Sequence, residues 1–152
     1  MAMKPFCGYN FADYFAHWLS FDKPGADLPR VFHVNWFRKD AEGRFMWPGY
    51  GENLRVLDWM IQRVAGKATG VETPIGVVPA PGELNADGLS VKPEVLAELL
   101  HVDLEGWSEE LRAIDLYLSG FGDRMPAQLK AERERVSKAL DAAMEHRTAS
   151  VG

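Results

Sequence analysis

The stretch FMWPGYGENLRVLDWMIQRV, Phe45–Val64, joins two different local patterns. Its first part is rich in aromatic residues, proline and glycine, which predicts an irregular loop. Its second part repeats apolar residues at the spacing of one helical face, and a glycine, Gly66, stands just past the end. The apolar residues are Leu57, Met60, Ile61 and Val64. The sequence therefore predicts a loop that leads directly into an amphipathic helix.

Upstream of this stretch, Asn10–Phe21 has the periodicity of a helix with one large aromatic face, made by Phe11, Tyr14, Phe15, Trp18 and Leu19. Val31–Phe37 alternates bulky and β-branched residues, which predicts a strand. Downstream, Gly66–Thr73 is predicted to be a loop. The proline-bounded segment Pro74–Pro79 is predicted to contain a short edge strand.

The chain beyond residue 90 is predicted to be helical. Pro93 suits the first position of a helix that reaches about Leu100. A second helix is lined by Trp107, Leu111, Ile114 and Leu118, with Ser108 as its expected N-cap. A third helix opens at Pro126. Together these patterns predict an α/β segment that is helix-rich at its C-terminal end.

Composition places the chain among ordinary globular proteins. Its 152 residues suit one domain, and 47% are hydrophobic and 26% charged. The net charge is −5 with both signs interspersed, and no apolar run is long enough to cross a bilayer. The single cysteine, Cys7, cannot form an internal disulfide. We therefore expect a cytoplasmic protein with no nucleic-acid partner and no membrane association.

Catalytic and metal-binding patterns are missing from the sequence. The four histidines, His17, His33, His101 and His146, have no metal-ligand spacing with one another, with Cys7 or with clustered carboxylates. Gly66–Thr69 matches only the end of a phosphate-binding loop, because Ile61 stands where that motif needs a glycine and a helix precedes it. We expect no catalytic residue and no metal ligand in this chain.

Aromatic residues are concentrated between Phe32 and Asn53, where they are Phe32, Trp36, Phe37, Phe45, Trp47 and Tyr50. Since several fall on turns or beside glycines, one interpretation is a site for a flat ligand such as a purine. Stacking of a base on an aromatic side chain contributes about 1–3 kcal/mol. The alternative is ordinary core packing. Asn53 is equally open to two interpretations, because a residue just before a helix can simply be its N-cap.

Long motifs in this part of the chain resemble, in the same order, the C-terminal stretch of the GTP-dependent phosphoenolpyruvate carboxykinases. The resemblance is strong over Met3–Leu89, and the tail, residues 90–147, matches only in its helical pattern. On this basis residues 1–152 form a partial C-terminal, GTP-binding domain. The motifs are Lys4–Phe11, Ala16–Ser20, Phe32–Asp40, Phe45–Asn53, Arg55–Leu57, Thr73–Gly76, Leu84–Asn85 and Gly88–Leu89.

The resemblance implies an activity and a site. Such enzymes decarboxylate oxaloacetate and phosphorylate the enolate with GTP, giving phosphoenolpyruvate, GDP and carbon dioxide in gluconeogenesis, with Mn²⁺ or Mg²⁺ as metal cofactor. It implies that Phe37, Phe45 and Tyr50 line the guanine pocket and that Asn53 bonds the base. Trp36 and Phe37 would then lie on the loop or strand edge at the pocket entrance.

The sequence also departs from the family pattern. Tyr50 stands where the family commonly has phenylalanine. The family's phosphate-binding loop, metal ligands and substrate-binding arginines precede this region, and no motif here replaces them. We therefore expect a fragment that binds a guanine nucleotide, is inactive alone and has the N-terminal part of the enzyme as its partner. The alternatives are a stand-alone guanine-nucleotide-binding module or an inactive structural remnant.

Overall fold

The computed structural model describes residues 4–149. Short 3₁₀ turns lie at Lys4–Phe6, Tyr50–Glu52 and Gly122–Arg124. The regular elements are, in chain order, α1 (Phe11–Leu19), α2 (Asn53–Val64), β1 (Gly70–Thr73), β2 (Gly76–Pro79), α3 (Pro93–Leu100), α4 (Leu104–Ser119) and α5 (Ala127–Ala149). A helix-rich chain with one small sheet confirms the predicted α/β class.

Two compact units make up the fold. One combines the described parts of Met1–Pro29 and Asp103–Gly152, and the other is Arg30–Val102. These units are defined by packing, whereas the segments 1–89 and 90–147 are defined by sequence motifs. No helix in the described part of the chain combines the length and the apolar character that crossing a membrane requires.

The first unit has a small aromatic core. Helix α1 begins where the side-chain oxygen of Asn10 accepts a hydrogen bond from the backbone N–H of Ala12 at 2.9 Å. Ala12 packs with Phe121 and Met125, and the partly buried side chains around them are Phe11, Phe15, Leu118 and Leu129. The aromatic face predicted for this helix is therefore partly buried, while Trp18 stays exposed.

Helix α4 begins earlier than its predicted N-cap. Ser108 lies inside the helix, and its hydroxyl donates to the carbonyl of Leu104. The cap is Asp103, whose carboxylate accepts from the backbone N–H of Gly106 at 3.2 Å. The prediction for Ser108 was wrong because aspartate caps as well as serine and lies one turn farther upstream.

The second unit confirms the predicted amphipathic helix. Helix α2 ends at Val64, and Gly66 adopts a left-handed conformation with φ of 70°. Trp59 is buried against Ala68 and Leu84, and its indole N–H donates to the carbonyl of Thr69 at 3.3 Å. This contact ties the helix to the start of the β1–β2 hairpin.

The structure differs from two predictions about where the chain forms strands. Val31–Phe37 is not a strand, because no described strand lies beside it to complete a hydrogen-bonded ladder, and only an isolated antiparallel bridge joins Lys39 to Phe45. The loop predicted for Gly66–Thr73 ends in β1, which pairs antiparallel with β2 from Gly70 opposite Pro79. The strand predicted within Pro74–Pro79 is confirmed as β2.

Candidate functional site

The turn Asp40–Arg44 brings two of the predicted site residues together. The carboxylate of Asp40 accepts from the backbone N–H groups of Glu42 at 3.1 Å and of Arg44 at 2.9 Å, and it also pairs with the Arg44 guanidinium. The hydrogen bond from the Arg44 backbone, followed by the Arg44 side chain, lowers the pKa of Asp40. The closed turn folds the chain back, so that Phe45 returns to the vicinity of Phe37.

Phe37 and Phe45 form an aromatic pair on the surface. Their ring centroids are 6.1 Å apart, with 63° between the ring planes. Phe37 is 73% exposed and Phe45 58% exposed, so neither ring is a core residue. The ammonium of Lys39 lies 5.0 Å from the Phe45 centroid, over the face of that ring. Sequence reasoning did not identify Lys39 as a neighbour of the site.

Tyr50 is presented differently from these two rings. It lies in the 3₁₀ turn Tyr50–Glu52, immediately before α2, and is 92% exposed. Its ring makes no aromatic contact with any residue in 4–149. The preceding Gly49 has φ of 119°, a conformation that glycine adopts readily and that other residues avoid. Gly49 therefore allows the chain to bend sharply into the 3₁₀ turn, where the Tyr50 ring is exposed to solvent.

The two tryptophans of the segment pack against each other. The rings of Trp36 and Trp47 lie 6.0 Å apart, with 44° between their planes. Trp47 is only 7% exposed, whereas Trp36 is half-buried. Trp47 is thus the buried member of this pair, and Trp36 links it to the surface beside Phe37.

Asn53 is held by Trp47. The indole N–H of Trp47 donates to the side-chain oxygen of Asn53 at 2.9 Å. The capping interpretation of Asn53 is wrong, because Glu52 occupies the N-cap position and Asn53 is the first residue of α2. Sequence reasoning missed the role of Trp47. The signal was a tryptophan in a short loop, since a buried indole N–H generally needs an acceptor nearby.

Arginine side chains hold the surrounding loops. Arg55 pairs with Glu52 at 2.6 Å and donates to the carbonyl of Asn85 at 2.8 Å, which ties a distant loop to the start of α2. Arg38 donates to the backbone carbonyl of Glu98 at 2.6 Å and pairs with its carboxylate. These contacts fix the Phe37 segment in place although it belongs to no strand.

The assembled residues suit binding better than catalysis. They offer exposed aromatic rings and one side-chain amide, with no nucleophile and base in contact. Within residues 4–149, no three His, Cys, Asp or Glu side chains come together as a metal ion would require. A cavity of about 350 Å³ lies beside Phe45, and Phe45 is the one predicted site residue in its lining. Phe37 and Tyr50 lie on the open surface, whereas Trp36 and Asn53 are half-buried.

Comparison with known proteins identifies the family. Residues 1–139 match the model of the phosphoenolpyruvate carboxykinase C-terminal P-loop domain. The chain is 50% identical over 140 residues to phosphoenolpyruvate carboxykinase [GTP] of Chlamydia muridarum, covering 91% of this chain and 23% of that protein. It is 52% identical over 146 residues to the same enzyme of Neocallimastix frontalis, covering 94% and 24%.

A vertebrate relative agrees with these two. The chain is 50% identical over 141 residues to the cytosolic phosphoenolpyruvate carboxykinase [GTP] of Gallus gallus, covering 92% of this chain and 22% of that protein. It spans about a quarter of the length of these relatives. The match of the family model over most of the chain and the agreement of these relatives lead to one conclusion: the chain belongs to the GTP-dependent phosphoenolpyruvate carboxykinases, through their C-terminal domain.

Proposed function

We propose that this chain supplies the guanine-binding pocket of a carboxykinase that converts oxaloacetate and GTP into phosphoenolpyruvate, GDP and carbon dioxide in gluconeogenesis. The observation that supports this most is the exposure of Phe37, Phe45 and Tyr50, three large aromatic rings within fourteen residues of one another in the sequence. Large aromatic rings are usually buried in a core. Rings left open on a surface are suited to a flat, apolar-faced ligand.

In this proposal Phe37 and Tyr50 stack on the two faces of the purine. Both rings are largely open to solvent, at 73% and 92% exposure. Phe45 contacts an edge of the base, since Lys39 already covers one of its faces. Trp36, packed on Trp47, lies at the entrance of the pocket. Stacking supplies affinity of about 1–3 kcal/mol per base but does not distinguish guanine from adenine.

Asn53 supplies the discrimination between bases. Its amide oxygen is taken by Trp47, and its amide nitrogen makes no hydrogen bond within residues 4–149, so an N–H donor is left for a ligand. Guanine presents an oxygen acceptor at its 6-position, where adenine presents an amino donor. An N–H donor of Asn53 that faces this position therefore pairs with guanine. Opposite adenine it would face a second donor and stay unpaired.

The catalytic centre belongs to the rest of the enzyme in this proposal. The described residues do not fit a metal site, because residues 4–149 bring no suitable ligand group together. The divalent ion, Mn²⁺ or Mg²⁺, would neutralise charge on the transferred phosphoryl group. We place its ligands and the phosphate-binding loop in the remaining sequence, which is this chain's partner. The chain alone is therefore inactive. The single cysteine and the cytosolic Gallus gallus relative support a cytoplasmic setting.

Calorimetric titration of the 152-residue chain with GTP, ITP and ATP tests the pocket. We expect GTP and ITP to bind with similar affinity, since inosine keeps the 6-oxygen and the ring N–H, and both to bind more tightly than ATP. Gln62→Ala, on α2 more than two turns from Asn53, is the control and should bind as the unsubstituted chain does. Equal affinity for GTP and ATP would contradict the proposal.

A further inference from the structure

We infer that Trp47 is a positioning residue that sets the choice between guanine and adenine by fixing the orientation of the Asn53 amide. The inference rests on the proposed function of Asn53. It goes beyond that proposal because Trp47 touches no base in it and acts through another side chain.

The orientation of the Asn53 amide is decided by its hydrogen-bond partner, Trp47. The oxygen and nitrogen of an asparagine side chain have nearly the same shape, so hydrogen-bond partners decide which is which. An indole N–H can only donate. Since Trp47 lies 2.9 Å from the Asn53 amide, the atom that faces it must be the oxygen. The NH₂ group therefore faces the other way.

The hydrogen-bonded pair of Trp47 and Asn53 has little freedom to rearrange. Trp47 is 7% exposed and packs on Trp36, so its ring has little freedom to turn. Asn53 is held from the other side, because its backbone begins α2 and the same helical turn carries Arg55, which pairs with Glu52. Releasing the amide would leave the buried indole N–H without an acceptor, which is unfavourable.

The orientation of the amide decides which purine it can bind. With the oxygen held by Trp47, Asn53 offers only donors to a ligand, matching the 6-oxygen of guanine. If the indole N–H is removed, the amide can rotate by half a turn and present its oxygen instead. That oxygen would accept from the 6-amino group of adenine. The aromatic rings are unchanged by this rotation, so the stacking contribution to affinity stays the same.

The hydrogen bond itself is measurable without a nucleotide. In the unsubstituted chain, NMR should show the indole N–H of Trp47 exchanging slowly with solvent, and Asn53→Ala should shift that resonance and speed its exchange. The indole N–H of Trp59, which donates to the Thr69 carbonyl, serves as an internal control and should stay unchanged. If the Trp47 resonance does not respond to Asn53→Ala, the inference is overturned.

A double-mutant cycle tests the effect on base choice. Trp47→Phe keeps a ring and removes the donor, and it should narrow the ratio of GTP to ATP affinity by about three- to tenfold, the range of one net hydrogen bond. In an Asn53→Ala background the same substitution should leave the ratio unchanged. If Trp47 were only structural, Trp47→Phe would lower the affinities for GTP and ATP equally. The ratio of the two affinities would then be unchanged, and the circular dichroism spectrum would show the altered fold.

The outcomes separate the inference from the function on which it rests. If the unsubstituted chain does not prefer GTP, the proposed guanine pocket fails, and the role of Trp47 in selectivity fails with it. If the chain prefers GTP and Trp47→Phe preserves the ratio, only the inference fails. If Trp47→Phe narrows the ratio equally with asparagine or alanine at position 53, Trp47 acts by another route and the inference is overturned.

Discussion

Lys39 holds its ammonium nitrogen 5.0 Å from the centre of the Phe45 ring. This cation–π contact occupies one face of Phe45 in the absence of any ligand. Among the described residues no cation lies over the ring of Phe37 or Tyr50, and these two rings are more exposed than Phe45. The three aromatic residues that the family resemblance groups together are therefore not equivalent, and substitutions at each should have different effects.

Phe37→Ala should weaken GTP and ITP alike, by about 1–3 kcal/mol, because it removes one stacking face. The loss should be similar for ATP, since every purine has a π-face. Isothermal titration with the three nucleotides measures this. The Gln62→Ala chain, which alters a residue of the same unit on α2, is the control. A loss confined to GTP would show that Phe37 reads the edge of the base.

Tyr50→Phe should leave nucleotide affinity nearly unchanged, whereas Tyr50→Ala should weaken it. The hydroxyl of Tyr50 makes no hydrogen bond within residues 4–149, and the ring is 92% exposed, so its face is the proposed contact. The same titrations compare the two variants. A large loss of nucleotide affinity in Tyr50→Phe, with the circular dichroism spectrum retained, would show that the hydroxyl itself contributes to binding.

The surface of α2 predicts self-association of the isolated chain. Four apolar side chains at helical spacing remain open along it, Leu54 at 73%, Leu57 at 43%, Ile61 at 66% and Val64 at 60% exposure. Full burial of one such side chain contributes about 1.5–3 kcal/mol. Analytical ultracentrifugation should therefore detect oligomers, and Ile61→Glu should reduce them.

The matched control for this experiment is Gln62→Glu, which adds the same charge one residue along the helix, away from the apolar row. It should leave the association unchanged. A monodisperse monomer with a sharp, reversible thermal transition would show that the exposed row needs no partner.

The chain alone should show no carboxykinase turnover. The described residues bring no metal-ligand group together, and phosphoryl transfer depends on bound metal ions and positioned cations. A coupled assay with oxaloacetate, GTP and Mn²⁺ measures the rate. Turnover that co-purifies with the chain through successive columns, above a buffer control, would contradict the proposed division between base pocket and catalytic centre.

Local periodicity predicted the helices well because each is specified by its own residues. The spacing from Leu57 to Val64 and the glycine after it were sufficient for α2. The same reasoning was wrong for Val31–Phe37, because a strand depends on a neighbour elsewhere in the chain and none of the described strands lies beside it. The error at Ser108 arose from two adequate capping residues one turn apart.

The candidate site was predicted only in part. The family resemblance supplied Trp36, Phe37, Phe45, Tyr50 and Asn53, and their roles in binding stay predictions. Two contacts depend on side-chain positions that no spacing rule provides, namely Lys39 over Phe45 and Trp47 on Asn53. The capping interpretation of Asn53 fails because Glu52 holds the N-cap position, while contact of Asn53 with the base stays a prediction.

The most direct test of the account is the ratio of GTP to ATP affinity in Asn53→Ala, measured beside the unsubstituted chain. Asn53→Ala leaves the indole N–H of Trp47 unpaired, which can destabilise the chain. Such a loss of stability lowers both affinities equally and therefore cancels in their ratio. We expect the difference in binding free energy between GTP and ATP to narrow by about 1–3 kcal/mol, because the Asn53 amide no longer leaves an unpaired donor opposite adenine. An unchanged gap, with GTP still preferred, would show that backbone groups read the base and that Asn53 does not.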